Sequence, residues 1–428
     1  MMRRSLLVLV SLIVVAGCHT NDFKPNAIQR MRFEPAREAE QRGDHATALA
    51  IYEDAADDGI AYAQYRAAQM YQGGIGTEPD HAQAARWYSA ASEQGHPGAH
   101  RALAAMHESG QGVAQDQAAA LALYQKAAAA GDASASLKVG QFLERGIGTE
   151  PDPAAAVEYY RAAAAGGRFD ANLALAGLYE RGEGVDQDPG AAERWYAAAA
   201  ESLLVAARGG DARAQEYLGE LYLRGQGVPR DTDRGIDWLT AAAEGGRASA
   251  QLDLARVLAR GDNGVPPDPA AAVPYYEMAA EQGSASAQYE LATLYAVGDG
   301  VPQDGARAVE LYRQAVAQGE VRAYVRIGDV YSRGQGIAAN HVEANKWYAE
   351  AARHGDAKGL FRLGEAYERG NGVEADQVRA LMWYRLARDQ GYTQAASRVE
   401  RVAERLDDGQ RSQADALATA WLRENGAS

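Results

Sequence analysis

A Gly-x-Gly loop recurs along most of the chain, at Gly74/Gly76, Gly110/Gly112, Gly146/Gly148, Gly182/Gly184, Gly225/Gly227, Gly298/Gly300, Gly334/Gly336 and Gly370/Gly372. A ninth copy, Gly261/Gly264, carries one extra residue. Successive second glycines stand 36 residues apart, with two exceptions: that extra residue, and seven residues inserted between Tyr196 and Gly210. A unit of this length is too short to bury an apolar face alone, so neighbouring copies must stack and cover one another. One closed core is therefore excluded for most of the 428 residues.

Each copy carries the same punctuation. Four residues after the second glycine comes Asp80, Asp116, Asp152, Asp188, Asp231, Asp268, Asp304, Asn340 or Asp376. A side-chain oxygen there accepts an unpaired N–H of the first helical turn, so a helix is predicted to start at each, here called helix B. Small residues follow four later, mostly alanine from Ala84 to Ala380, with Gly235 in the fifth copy. Four more bring Tyr88, Tyr124, Tyr160, Tyr196, Leu239, Tyr276, Tyr312, Tyr348 or Tyr384. Spacing of four puts these on one stripe, which predicts a packing face. Helix B should end at a glycine in the left-handed conformation, from Gly95 to Gly391. Pairs such as Leu175/Tyr179, Leu218/Tyr222 and Leu363/Tyr367 mark a preceding helix A, predicted to be the shorter of the two.

The string Tyr-x-x-Gly-x-Gly-Val followed by Asp, Ala and an aromatic, as in Tyr222–Val228 and Tyr367–Tyr384, resembles the Sel1-like repeat, a relative of the tetratricopeptide repeat. The resemblance implies an all-α, right-handed superhelical solenoid of helical hairpins, with nine repeats over residues 61–391. Residues 33–60 lack the glycine loop and read as a tetratricopeptide-like capping pair, with Gly43-Asp44 as the turn and Ile51-Tyr52 in the aromatic slot. Residues 392–428 are predicted to close the other end with helices over 393–405 and 412–424, the second carrying Leu417 and Trp421 on one face.

The chain holds one cysteine, Cys18, which excludes an intramolecular disulfide and a thiolate metal cluster. Arg3 and Arg4 precede an apolar run from Leu6 to Val15, too short to span a bilayer. Val15-Ala16-Gly17-Cys18 then resembles the lipobox of bacterial lipoproteins. That likeness implies a signal peptide over residues 1–17, cleavage before Cys18 and lipid on its sulfur. Residues 18–32 read as a tether. His19 follows the cysteine in place of the Asp that retains lipoproteins at the inner membrane, so the expected location is the outer membrane, facing the periplasm, held by the lipid anchor alone.

A net charge of −15 disfavours nucleic acid as a partner, because phosphate binding needs clustered cations. Of eight histidines only His81, His96, His100 and His107 lie near one another, without the spacing of a metal site, so neither metal nor cofactor is expected. No set of nucleophile, base and orienting group is legible, and the reading is that the chain is not an enzyme. Trp87-Tyr88, Trp195-Tyr196, Trp347-Tyr348 and Trp383-Tyr384 are read as core.

Two features break the structural routine. Just before the first loop glycine stand Arg145, Arg181, Arg224, Arg260, Arg333 and Arg369, with Val297 interrupting the series. Repeated on one ridge, they form either a ladder for an anionic polysaccharide or caps for the helix-A carbonyls. The insertion after Tyr196 adds about two helical turns with apolar Leu203, Leu204 and Val205, a candidate docking element. The residues from Ala36 to Tyr71 also resemble the start of the lipoproteins of alginate export. The predicted function is a non-catalytic scaffold that binds other envelope proteins. An outer-membrane pore and a periplasmic polysaccharide-synthesis complex are the partners the resemblance implies. The alternatives are direct binding of an anionic polysaccharide and regulation of cell-wall enzymes.

Overall fold

The computed structural model describes residues 27–261 and 265–425. Cys18, the expected signal peptide over residues 1–17 and Gly264 lie outside them. Among the described residues every regular element is a helix. The chain divides into two compact units, residues 1–202 and 203–428.

The first unit opens with the pair α1 (Ala27–Gln41) and α2 (His45–Asp57). Four hairpins follow: α3 (Ala61–Gly73) with α4 (His81–Glu93), α5 (Pro97–Ser109) with α6 (Gln117–Ala129), α7 (Ala133–Arg145) with α8 (Pro153–Ala165), and α9 (Phe169–Arg181) with the start of α10 (Pro189–Arg208). In the second unit α11 (Ala212–Arg224) pairs with α12 (Thr232–Glu244), α13 (Ala248–Arg260) with α14 (Pro269–Glu281), and α15 (Ala285–Val297) with α16 (Gly305–Ala317). After these, α17 (Arg322–Arg333) pairs with α18 (His341–Arg353), and α19 (Ala357–Arg369) with α20 (Gln377–Asp389). α21 (Ala395–Ala403) and α22 (Asp408–Glu424) end the unit. Each unit is a stack of helical hairpins, an all-α solenoid.

The expected N-caps form. Asp80 accepts the backbone N–H of Gln83 at 2.9 Å, and Asp116, Asp152 and Asp188 do the same for the residues three places on. Each cap residue also donates its own N–H back to the last turn of helix A: Asp80 to the Tyr71 carbonyl at 2.9 Å, Asp376 to that of Tyr367 at 2.9 Å. A helix-end carbonyl that would lack a partner is thus used to close the loop. Helix B ends as a glycine C′ should. Gly95 at φ +83 donates to Ser92, and His96 donates to Ala91.

The stripe is core. Tyr88, Tyr124 and Tyr160 in the first unit and Tyr276, Tyr312, Tyr348 and Tyr384 in the second are almost completely enclosed, as are Ala84, Ala120, Ala272 and Ala380. Of the preceding tryptophans Trp87 is buried, while Trp195, Trp347 and Trp383 are half-buried.

Three expectations about element boundaries need correction. Helix A is as long as helix B: α5 and α6 both have 13 residues. Its start was hard to see because its cap position holds Ile60, Arg168 or Arg247 as readily as Asp. The preceding glycine turn restarts the helix there whatever the side chain. α1 takes in residues 27–32, assigned above to the tether. It carries Pro35 in its interior, although proline ordinarily marks a first turn. α22 begins at Asp408 rather than 412, because Asp407 and Gln410 form a capping box that fixes the start.

The second loop glycine sets the stacking register. At Gly112, φ is +72, and a Cβ would lie 2.1 Å from the backbone oxygen of His81, the first residue of the previous helix B. Gly76, Gly148 and Gly372 meet the previous helix start in the same way. Only hydrogen fits between these backbones.

Candidate interaction surface

Burying a tyrosine stripe creates a second requirement, because each phenolic hydroxyl needs an acceptor. In five hairpins helix A supplies it 16 residues earlier, while Tyr312 and Tyr348 meet Thr293 and Asp329, 19 residues earlier. Tyr124 donates to Glu108 at 2.7 Å, Tyr160 to Glu144 at 2.6 Å, Tyr196 to Glu180 at 2.9 Å and Tyr384 to Glu368 at 2.7 Å. In the first hairpin Gln72 accepts from Tyr88 at 2.8 Å. Where the aromatic is Leu239, the residue 16 before it is Leu223, so the hydroxyl and its acceptor disappear together. Burial pushes the hydroxyls of Tyr124, Tyr160 and Tyr384 above their ordinary range, and the adjoining carboxylates push them further. The Glu at that spacing is visible in the sequence at 108, 144, 180 and 368, but Tyr276, Tyr312 and Tyr348 keep the hydroxyl above Arg260, Ala296 and Ser332, so only the packed structure shows each partner.

The acceptor carboxylates collect cations from the next helix A. Glu108 holds the Lys138 ammonium at 2.8 Å, and Glu144 holds Arg181 at 3.3 Å. In the first unit this leaves a groove of about 410 Å³ along α3, α5 and α7, lined by Tyr65, Tyr88, Tyr124, Arg101 and Lys138. Tyr88 and Tyr124 lie enclosed beneath it, and it presents Tyr65 with the heads of Arg101 and Lys138, a surface suited to a peptide.

The candidate arginines do stand at helix-A ends, and five of the six have an acid beside them. Arg181 also pairs with Glu183 at 2.9 Å; Arg224 meets Glu220 at 3.1 Å and Arg260 meets Glu290 at 3.2 Å. Arg333 lies 3.9 Å from Asp329 and Arg369 3.5 Å from Glu365. Arg145 is exposed. Through α9, α11 and α13 the ridge is therefore one of paired charges.

The balance changes at the end of the second unit. Asp329, 4 % exposed, accepts the Tyr348 hydroxyl at 2.9 Å and has Arg362 at 3.2 Å and Lys358 at 3.6 Å. Glu365 takes Arg362 at 2.7 Å and Arg398 at 3.7 Å. Glu368 takes Arg398, Arg401 and Arg405 at 3.3, 3.2 and 3.8 Å. Burial alone would raise the Glu368 carboxyl, but the Tyr384 hydroxyl and Arg401 and Arg398 outweigh it and hold it below the usual range.

In the same unit Glu216, Glu220 and Asp253 place carboxylate oxygens within 4.8 Å of one another, the one metal-capable grouping among the described residues. Burial pushes Glu220 and Asp253 up, and each carboxylate has its own guanidinium: Arg247 for Glu216, Arg224 for Glu220 and Arg256 for Asp253. The histidines serve the fold. His96 caps α5 by accepting from Ala99 at 3.2 Å and stacks on Tyr65, with ring centroids 4.4 Å apart. His100 Nδ1 lies 2.7 Å from the Ser92 hydroxyl.

The inserted residues extend α10 to 20 residues. Leu203 must be withdrawn as a docking contact, because it is 0 % exposed and no partner can reach it. Leu204 is half-buried and Val205 is 74 % exposed. No helix among the described residues is long and apolar enough to cross a membrane.

Comparison with known proteins agrees with this geometry. The Sel1 repeat family model matches nine times, over residues 61–96, 97–132, 133–167, 169–202, 212–246, 248–284, 285–320, 321–356 and 357–392. Residues 203–211, which include the apolar part of the insertion, fall between two matches. Among solved structures the chain is similar to a protective antigen present in uropathogenic Escherichia coli strains and displaying an SLR fold. They are 28% identical, with a TM-score of 0.64 over 92% of this chain and 84% of that one. It is also similar to a Sel1 repeat protein from Oxalobacter formigenes, 27% identical, with a TM-score of 0.49 over 74% of this chain and 89% of that one. A search of curated proteins gives no match.

Proposed function

The chain belongs to the Sel1 repeat family, whose members typically mediate protein–protein interactions and are generally non-catalytic, and from that premise we propose that it is an envelope scaffold anchored by lipid on Cys18. The observation that carries the scaffold reading is the repeated helix-A row, with its grooves of aromatic and charged side chains built on buried Tyr–Glu pairs. Such a row offers a partner many weak contacts on a rigid support, as solenoids do. Support for the anchor comes from the charged start, the apolar run and Cys18. In this reading the lipid enters the outer membrane and the solenoid faces the periplasm, where it collects proteins of an assembly such as an exopolysaccharide exporter.

The test is crosslinking in living cells, followed by purification of the lipidated protein and mass spectrometry of what accompanies it. Recovery of an outer-membrane β-barrel with polysaccharide-synthesis proteins supports the export scaffold; recovery of peptidoglycan enzymes alone refutes it in favour of cell-wall regulation. Cys18→Ser should abolish labelling by a palmitate analogue and release the protein from the membrane fraction. Retained labelling would refute the anchor.

A further inference from the structure

We propose that the row formed by α17, α19 and α21 docks an acidic segment of a partner protein. The inference deepens the scaffold reading and rests on it. Seven cations, Arg333, Lys358, Arg362, Arg369, Arg398, Arg401 and Arg405, converge there on three carboxylates, Asp329, Glu365 and Glu368. Counting Glu400 and Glu404 as well, both exposed nearby, leaves cations in excess, in a chain whose net charge is −15.

The three carboxylates are not available to a ligand. Their side chains are 5, 14 and 9 % exposed, and Tyr348 and Tyr384 hold two of them from behind. The guanidinium groups around them are turned outward: Arg333, Arg369, Arg401 and Arg405 are 56, 54, 45 and 55 % exposed. Arg401 is hydrogen-bonded to its buried acid at 3.2 Å and Arg369 at 3.5 Å, while Arg333 and Arg405 stand 3.9 and 3.8 Å from theirs, and all four keep N–H groups for a second acceptor. Pairing restrains Arg401 and Arg369 before a partner arrives, which lowers the cost of binding. Between α17 and α19 lies a cavity of about 190 Å³ lined by Arg333, Arg362 and Arg369 together with their partners Asp329 and Glu365, at whose mouth the exposed Arg333 and Arg369 heads stand.

Charge order along the same unit selects a protein segment over a uniform polyanion. Asp253 is the sixth residue of α13 as Arg362 is of α19, and Glu220 the ninth of α11 as Glu365 is of α19. With Glu216 they carry three carboxylates, each taken by its own guanidinium, so the row holds no cation surplus there. A long polyuronate following the row would find surplus charge only at its end. A short block of Asp and Glu matches that end alone.

The experiment titrates fluorescein-labelled octaglutamate against the full chain by anisotropy at low ionic strength. Arg369→Glu/Arg401→Glu/Arg405→Glu should weaken binding roughly tenfold or more. The control Arg224→Glu/Arg260→Glu/Arg307→Glu, with the same change in net charge, should stay within about twofold of the parent, and far-UV circular dichroism should confirm that both variants fold. Equal weakening by the two, no binding by the parent chain, or tighter binding of alginate that the control set abolishes would each overturn the proposal. Crosslinking in cells separates this inference from the scaffold reading. If the patch variant keeps every partner of the parent, the docking surface fails and the scaffold stands; if the parent captures none, the scaffold itself fails.

Discussion

Replacing Gly112 by alanine should cost far more than replacing Gly131, although both have left-handed backbones, at φ +72 and +86. At Gly131 an added Cβ meets nothing within 4 Å. Its cost is the conformational strain alone, about 1–2 kcal/mol. At Gly112 the same carbon lies 2.1 Å from the His81 oxygen and 2.4 Å from its carbonyl carbon, both main-chain atoms that no rotamer change can move. Ordinary contact starts near 3.4 Å, so the loop must retreat from the start of α4 by about 1 Å. Overpacking of that kind adds about 1–3 kcal/mol, giving a total of roughly 2–5 kcal/mol and a difference of about 2 kcal/mol between the variants. Urea unfolding followed by circular dichroism measures the totals, and hydrogen exchange across α4–α6 shows where the loss falls. Equal destabilisation of the two variants, within about 0.5 kcal/mol, would refute the claim that this glycine sets the register between repeats.

Acidification should loosen the first unit through His96. Burial, with His100 as a smaller contributor, lowers its pKa from 6.5 to about 4. The folded state therefore holds the ring neutral while the unfolded chain takes up a proton. Stability is whole above pH 6.5, declines between 6.5 and about 4 by at most about 3 kcal/mol, and levels below that. His96→Asn keeps the helix cap and removes the titration; an unaltered pH profile in that variant would show another group to be responsible. In the insertion, Leu203→Ala should cost about 2–5 kcal/mol and Val205→Ser less than about 0.5, read from unfolding midpoints. A similar cost for both would contradict their opposite exposure.

The chain's local order is written in its sequence because caps, glycine turns and four-residue stripes act within a few residues. Asp80 and Gly95 mark the ends of α4 without reference to any other repeat, and nine copies of one pattern leave stacking as the only way to cover Tyr88 and its equivalents. The start of helix A was hidden because a turn, not a side-chain cap, determines it. What the sequence could not assign was the charge on the surface. Glu108 and Lys138 are 30 residues apart, Glu144 and Arg181 are 37, and their encounter depends on how closely one hairpin approaches the next. A column of arginines that the sequence left open to a ladder or to helix caps became, once stacked, a series of ion pairs in α9, α11 and α13 and a cationic surplus only from α17 onward. The same helix extension placed Leu203 inside and Val205 outside, two residues apart. Periodicity is a local property that sequence carries in full, whereas the neutralisation of a charge depends on which other side chains come within a few ångströms of it, and tertiary packing decides that.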